Sequence, residues 1–281
     1  MPVYDQGYRR YVARAALHGA RFWPITREAL RLLLLKRLFV LFLLASLAPL
    51  GVKVIQIYLA RQYPQLAAIL SAGPPLFGDF MNTQLLFAIL LSVFGASGLV
   101  ANDLRTGAIL VYLSRPLTQR DYILGKLGVP MAICLAVTLL PGLVLYAAAI
   151  GLAPDGYLRW DLAWLPLAIV AHAVCASLVV SLLTLAVSSL SRSARVAGIA
   201  MVGLLLGLET MRGVLQFGFG RREAVLLSLW ADLKALGVAL FGVVEYQIEV
   251  FWAWPLAVLA AVSLGCLLVL RARVRAVEIV S

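Results

Sequence analysis

Six apolar runs recur along this chain, at residues 38–59, 80–101, 127–151, 162–190, 196–217 and 250–270. Each is long enough to cross the roughly 30 Å hydrocarbon core of a bilayer. None shows the two-residue alternation of a barrel strand, so the pattern predicts an all-α integral membrane fold with six transmembrane helices. Composition agrees: of 281 residues, 63% are hydrophobic and 13% charged, against about 25% charged in soluble domains. The fourth run exceeds the length a perpendicular crossing needs, which predicts tilt or an extension into the cytosol.

Charge is informative by location. With the N-terminus inside, 17 of the 24 Lys and Arg residues fall on the inner side, whereas 8 of the 13 acids fall outside. That bias is the positive-inside signature and predicts both termini in the cytosol. The basic total of +11 could suggest nucleic acid. These cations flank spans and form no aromatic-interleaved patch, so no nucleic-acid partner is expected. The first apolar run begins only after some thirty Arg-rich residues, so no signal peptide is expected. Cys134, Cys175 and Cys266 all fall within spans and have no near neighbour in sequence. They read as small buried side chains, without a disulfide framework or metal motif.

Residues 1–23 form a polar, basic arm to which the sequence assigns no structure. Residues 25–36 place Arg27, Glu28 and Arg31 on one arc and leucines over most of the rest. This predicts a helix lying in the inner interface before the chain turns across at Lys36-Arg37. No loop is large enough for a separate soluble domain, so residues 1–281 read as one membrane domain. Asp155, Arg159 and Asp161 read as a solvated outer turn.

The inner loop at 102–126 resolves into two parts. Asn102 or Asp103 caps a helix predicted over 104–113, which Ser114-Arg115-Pro116 ends, because the residue before proline avoids helical geometry. Thr118 and Asp121 then stand at capping-box spacing and start a helix that runs through Lys126 into the third span. Between the fifth and sixth spans, residues 218–249 contain an apolar portion at 224–244. A seventh crossing there would place Asp232 and Lys234 in hydrocarbon and Arg271, Arg273 and Arg275 outside. Two short helices dipping into the outer leaflet as a re-entrant hairpin, broken near Leu236-Gly237, fit better.

Residues 94–126, with Asp103-Leu-Arg105-Thr-Gly107, an apolar helix, Ser114-Arg115-Pro116 and a closing Gly125-Lys126, resemble the ABC-2 type permeases. Those are membrane subunits of one class of ATP-binding-cassette transporters. The motif covers about an eighth of the chain, and the interfacial helix, six spans and outer hairpin extend the likeness over nearly all of it. The resemblance implies a coupling helix that meets a separate ATPase, with Asp103, Arg105 and Gly107 opening it. Ser114, Arg115 and Pro116 end it, and Arg120 and Lys126 flank its exit. It also implies two copies of the ATP-binding subunit and a second permease subunit, identical or a sister. Membrane lipid and an extracytoplasmic accessory protein complete the implied partners. This chain has no Gly-x-x-x-x-Gly-Lys-Ser/Thr loop, so ATP and Mg are expected on the partner and no cofactor or catalytic residue here. The short loops favour export or an extracytoplasmic maturation system over capture of soluble substrates.

An alternative from another class is a rhomboid-like intramembrane serine protease, since Gly95-Ala-Ser97-Gly98 matches a nucleophile pattern and His172 could be its base. The two residues fall at different depths of their spans, and small residues also serve close helix packing. His172 and Cys175 at i, i+3 make too small a ligand set for a metal site. Glu209 and Arg212 stand on one face of the fifth span as a possible intramembrane pair. They serve either a substrate path or the pinning of the outer hairpin through Asp232 or Lys234.

Overall fold

The computed structural model describes residues 22–63, 65, 73–109, 118–152, 163–242 and 251–274. Among these residues six helical segments are long and apolar enough to cross a membrane: Arg37–Gln62, Pro74–Thr106, Gln119–Leu152, Leu165–Leu190, Ala194–Gly218 and Ala253–Arg273. Each overlaps one of the six apolar runs of the sequence. The arm at 1–21 and the tail at 275–281 lie outside the described residues.

Helix α1 (Trp23–Leu34) is separate from the first span, as the interfacial reading expects, with Pro24 in its first turn. It stops at Leu35, and Lys36 adopts an extended conformation before α2 (Arg37–Ala45) begins. The side of the bundle where α1 packs is called the α1 end below.

The first span departs from the uninterrupted helix predicted at 38–59. It is α2 followed by α3 (Ala48–Gln62), with a break at Ser46-Leu47. Pro49 has no N–H to donate and the Leu50 N–H turns back to the Leu47 carbonyl at 3.1 Å, so the Ser46 carbonyl is left over. The buried Gln84 of the second span donates to it from Nε2 at 3.1 Å. A backbone group that hydrocarbon could not satisfy is thereby satisfied from a neighbouring span.

The second span is likewise two helices, α4 (Pro74–Ala96) and α5 (Gly98–Thr106), meeting at Ser97. Ser188 bridges this joint from another span. Its Oγ donates to the Ser97 carbonyl at 2.6 Å and accepts the N–H groups of Val100 and Ala101 at 3.2 and 3.1 Å. The prediction that Asn102 or Asp103 caps a helix over 104–113 is therefore corrected. Both lie inside α5, because Ser188 has already met the orphan donors at its start. Gly107 ends α5 in a left-handed conformation at φ 70°. Residues 110–117 lie outside the described residues.

Helix α6 (Gln119–Leu152) has 34 residues, about 51 Å at 1.5 Å per residue, so it projects well beyond the hydrocarbon. Helix α7 (Leu165–Leu190) is the centre of the bundle and packs against α4, α5, α6, α8 (Ala194–Gly213), α9 (Leu229–Phe241) and α10 (Ala253–Arg273). Its buried side carries Ser177, Ser181, Thr184 and Ser188, and Thr184 meets Ser92 of α4 at 3.1 Å. Small hydroxyl residues let helices approach closely where lipid-like side chains supply no driving force of their own. The outer spans contrast with this core. Within its most apolar window the fourth span is 67% buried, whereas the first and fifth are each 11% buried.

Between the fifth and sixth spans, α8 passes through a π turn at Val214–Gly218 and a 3-10 turn at Arg222–Leu227 into α9. The expected break near Leu236-Gly237 is corrected, since α9 runs through both residues. The breaks fall at Ser228 and at Gly242, which has φ 62°. Gly237 serves close packing there and not a turn, since a Cβ would lie 3.2 Å from the His172 Nε2. Residues 243–250 lie outside the described residues.

Candidate functional site

The loop singled out by sequence sits at the α1 end, where α1, α5 and α6 converge. Asp103 of α5 and Lys126 of α6 pair with each other, Oδ2 to Nζ at 2.7 Å, with side chains 14% and 8% exposed. The buried Tyr122 donates its hydroxyl to the same Asp103 oxygen at 2.7 Å, and the Lys126 ammonium lies 5.6 Å from the Tyr122 ring centroid. A charge pair this sheltered requires the further hydrogen bond and ring contact to offset desolvation. Asp103 and Lys126 therefore bind the two helices of the loop to one another.

Gly125 explains the other half of the closing Gly-Lys. A Cβ at Gly125 would lie 2.9 Å from the Cβ of Ile25 and 3.0 Å from the Phe22 carbonyl. One turn on, a Cβ at Gly128 would lie 2.7 Å from Thr26 Oγ1. The absence of both side chains lets α1 lie directly on α6, and Thr26 Oγ1 donates to the Gly125 carbonyl at 2.7 Å. Two adjacent residues thus join three elements, Gly125 holding α1 and Lys126 holding α5.

The start of α6 is fixed separately. Asp121 Oδ2 accepts from the Thr118 N–H and hydroxyl at 3.0 and 2.8 Å, and the Asp121 N–H donates to Thr118 Oγ1 at 3.2 Å. This is reciprocal capping at the expected positions. Gln119 Nε2 donates to the Arg271 carbonyl at 2.7 Å, tying the same point to the end of the sixth span.

Of the eight residues predicted for ATPase coupling, five are described. Asp103 and Lys126 face inward, whereas Arg105 and Arg120 are exposed. Gly107 closes α5 in a left-handed conformation, and a notional Cβ there meets nothing within 4 Å among the described residues. Ser114, Arg115 and Pro116 lie outside the described residues. Sequence reading missed the α1 docking through Thr26, Gly125 and Gly128 and the joint formed by Ser188. The signals were present as glycines spaced three apart and hydroxyl residues at helical spacing, but periodicity does not say which neighbour a face meets.

At the opposite end, Glu209 and Arg212 stand together, with Arg212 Nε 3.1 Å from Glu209 Oε1. Arg212 also donates to Gln216 Oε1 at 2.6 Å. The Ser228 hydroxyl donates to the second Glu209 oxygen, and its Oγ accepts from the Ala231 N–H as the cap of α9. The network reaches α9 through Ser228, and among the described residues no bond runs from it to Asp232 or Lys234. Asp232 is fully buried, and neither carboxylate oxygen has a hydrogen-bond partner among the described residues.

His172 lies at this same end. Its Nε2 is 3.2 Å from the Leu233 carbonyl, so that nitrogen carries the proton. With Asp79, Asn82 and Lys234 it lines a cavity of about 20 Å³, room for one water. Ser97 ends α4, 15 residues beyond Asn82, about 22 Å along the helix. That distance removes the Ser97–His172 protease reading, since a base has to reach its nucleophile.

A family model for ABC-2 family transporter proteins matches residues 27–225, from α1 into the 3-10 turn before α9. This chain belongs to the ABC-2 transporter family. Curated proteins offer no match to it. Family membership and six apolar helices make it a multi-pass membrane transport protein.

Proposed function

We propose that the chain is the permease subunit of an ATP-driven exporter or extracytoplasmic-maturation system in a bacterial cytoplasmic membrane, with its α1 end in the cytosol. A separate ATPase binds ATP and Mg, and docks in two copies on a dimer of permease subunits. The observation that carries this reading is the brace at the α1 end. Asp103, Tyr122 and Lys126 join the loop to α6, while Gly125 joins α6 to α1. A push at the exposed Arg105 and Arg120 is thereby transmitted to the second and third spans and to α1 as one unit. Arg105 and Arg120 remain exposed on that unit as rim cations for an acidic patch on the ATPase.

The second permease subunit is supported by the fifth span, whose poorly buried face exposes Ala200, Gly203 and Gly207. Notional Cβ atoms at the two glycines meet nothing within 4 Å, and small residues on an uncovered span suit close approach of another helix. The Glu209–Arg212–Ser228 network holds the outer hairpin against the fifth span, and α9 occupies the outer part of the bundle.

Charge reversal tests the docking reading. In the full complex, Arg105→Glu with Arg120→Glu should lower co-purification of the ATPase by about tenfold while membrane insertion and dimer mass stay unchanged. Undiminished co-purification and ATP hydrolysis in that variant would overturn it.

A further inference from the structure

At the end opposite α1, three elements enclose the small cavity beside His172. Asp79 and Asn82 of α4, His172 of α7, and Lys234 and Gly237 of α9 line it. Asn82 stands eight residues beyond Pro74 at the start of α4, and His172 stands seven beyond Leu165 at the start of α7. These offsets correspond to about 12 and 11 Å along the two helices, so the side chains meet at similar depth, well inside the bundle.

His172 is only 3% exposed. Its Nε2 hydrogen is committed to the Leu233 carbonyl of α9, so in the neutral ring Nδ1 is left as an acceptor. Asn82 Oδ1 is an acceptor too. Both atoms are buried, and neither has a hydrogen-bond partner among the described residues. Two acceptors cannot satisfy one another, and each costs free energy while it stays unpaired, so a donor has to stand between them. Asp79 and Lys234 are each engaged in an interaction of their own, and their opposite charges give the wall no preference for an ion. A volume of about 20 Å³ admits one water-sized molecule and nothing larger.

We propose that one bound water occupies this cavity, donating one hydrogen to His172 Nδ1 and the other to Asn82 Oδ1. The imidazole then works at both nitrogens. Nε2 holds α9 directly, and Nδ1 holds α4 through the water. Each bond fixes the other, since a neutral ring that donates from Nε2 can only accept at Nδ1. Gly237 lets α9 come close enough to be held, and the Phe241 ring packs on the imidazole with centroids 6.0 Å apart. One water thus joins the second span, the fourth span and the outer helix at a single point. The site rests on the fold alone and needs neither an ATPase nor a second subunit, so its failure is separable from failure of the docking reading.

Nuclear magnetic resonance of the full chain in lipid bilayers, with nitrogen-15 in its histidines, tests the water. The sequence has two histidines, so His18→Asn leaves His172 as the sole imidazole. In that chain Nε2 should carry the proton, Nδ1 should be bare, and magnetisation should pass from water protons to Nδ1. Adding Asn82→Leu should abolish the transfer and leave the Nε2 proton in place, whereas adding Lys234→Met should preserve both. A protonated Nδ1, or a bare Nδ1 that receives nothing from water, would overturn the proposal before any change at the cavity is made. Transfer undiminished by Asn82→Leu would also overturn it, because the ring would then be meeting loose solvent. Transfer lost in Lys234→Met would name the lysine ammonium as the donor to Nδ1, and would likewise sink it.

Discussion

At the scale of single residues, the sheltered pair between Asp103 and Lys126 is the most consequential polar contact. Lys126→Met should leave Asp103 charged and without its cation, destabilising the chain by about 3–5 kcal/mol. Asp103→Asn combined with Lys126→Met should cost less than Lys126→Met alone, because no buried charge is then orphaned. Thermal unfolding in detergent checks both, and equal midpoints for single and double variants would contradict the pair. Asp232 gives a pH-dependent counterpart. Burial pushes its carboxyl up to about 7, from about 3.9 in an unfolded chain. The folded state then holds the proton more tightly, so stability falls as pH rises from about 4 to about 7 and stays low above that. Asp232→Asn should raise the unfolding temperature at pH 8 and change it little at pH 4.

At the scale of elements, the break in the first span is the feature with most leverage. Gln84 satisfies the Ser46 carbonyl that the Leu50 N–H leaves free by turning to Leu47, so Gln84→Leu should cost about 1–3 kcal/mol by stranding a buried acceptor. Pro49→Ala with Gln84→Leu should recover much of that loss by letting the helix run through. Spin labels at Val40 and Val52 read the geometry directly: their separation should lengthen in the double variant as α2 and α3 align. An unchanged distance would mean that packing, and not the proline, sets the bend. The joint at Ser97 works differently, because Ser188 supplies the cap from another helix and no proline is involved. Two spans are thus interrupted by unrelated means, and in each the freed backbone groups are met by a polar side chain from the bundle.

At the scale of the whole molecule, burial is uneven. The fourth span is a central post, while the first and fifth stand at the periphery with most of their surface free. A second subunit against the fifth span should be displaced by bulk on its exposed glycines. Gly207→Trp should shift the purified permease from dimer to monomer by mass, with its unfolding temperature nearly unchanged, since a notional Cβ there meets nothing within the chain. A dimer that persists in Gly203→Trp and Gly207→Trp alike would move the interface elsewhere.

The sequence by itself determined the number of spans, the separate α1 and the capping of α6 at Thr118 and Asp121. Each of these is decided locally. Hydrocarbon offers no water to unpaired backbone, which favours helices, so length and apolarity mark a span wherever they occur. Capping boxes are likewise written within four residues. The tertiary structure alone decided that Asp103 and Lys126 face one another and that Gly125 and Gly128 receive α1. It alone decided that Ser188 takes over the cap expected of Asn102 or Asp103, that Gln84 meets the carbonyl freed at the break in the first span, and that Glu209 reaches α9 through Ser228. All of these depend on the rotation and depth of one helix against another. Helical periodicity tells which residues share a face, but not which neighbour that face meets or at what height, and in a chain that is apolar on nearly every side that choice is made by packing.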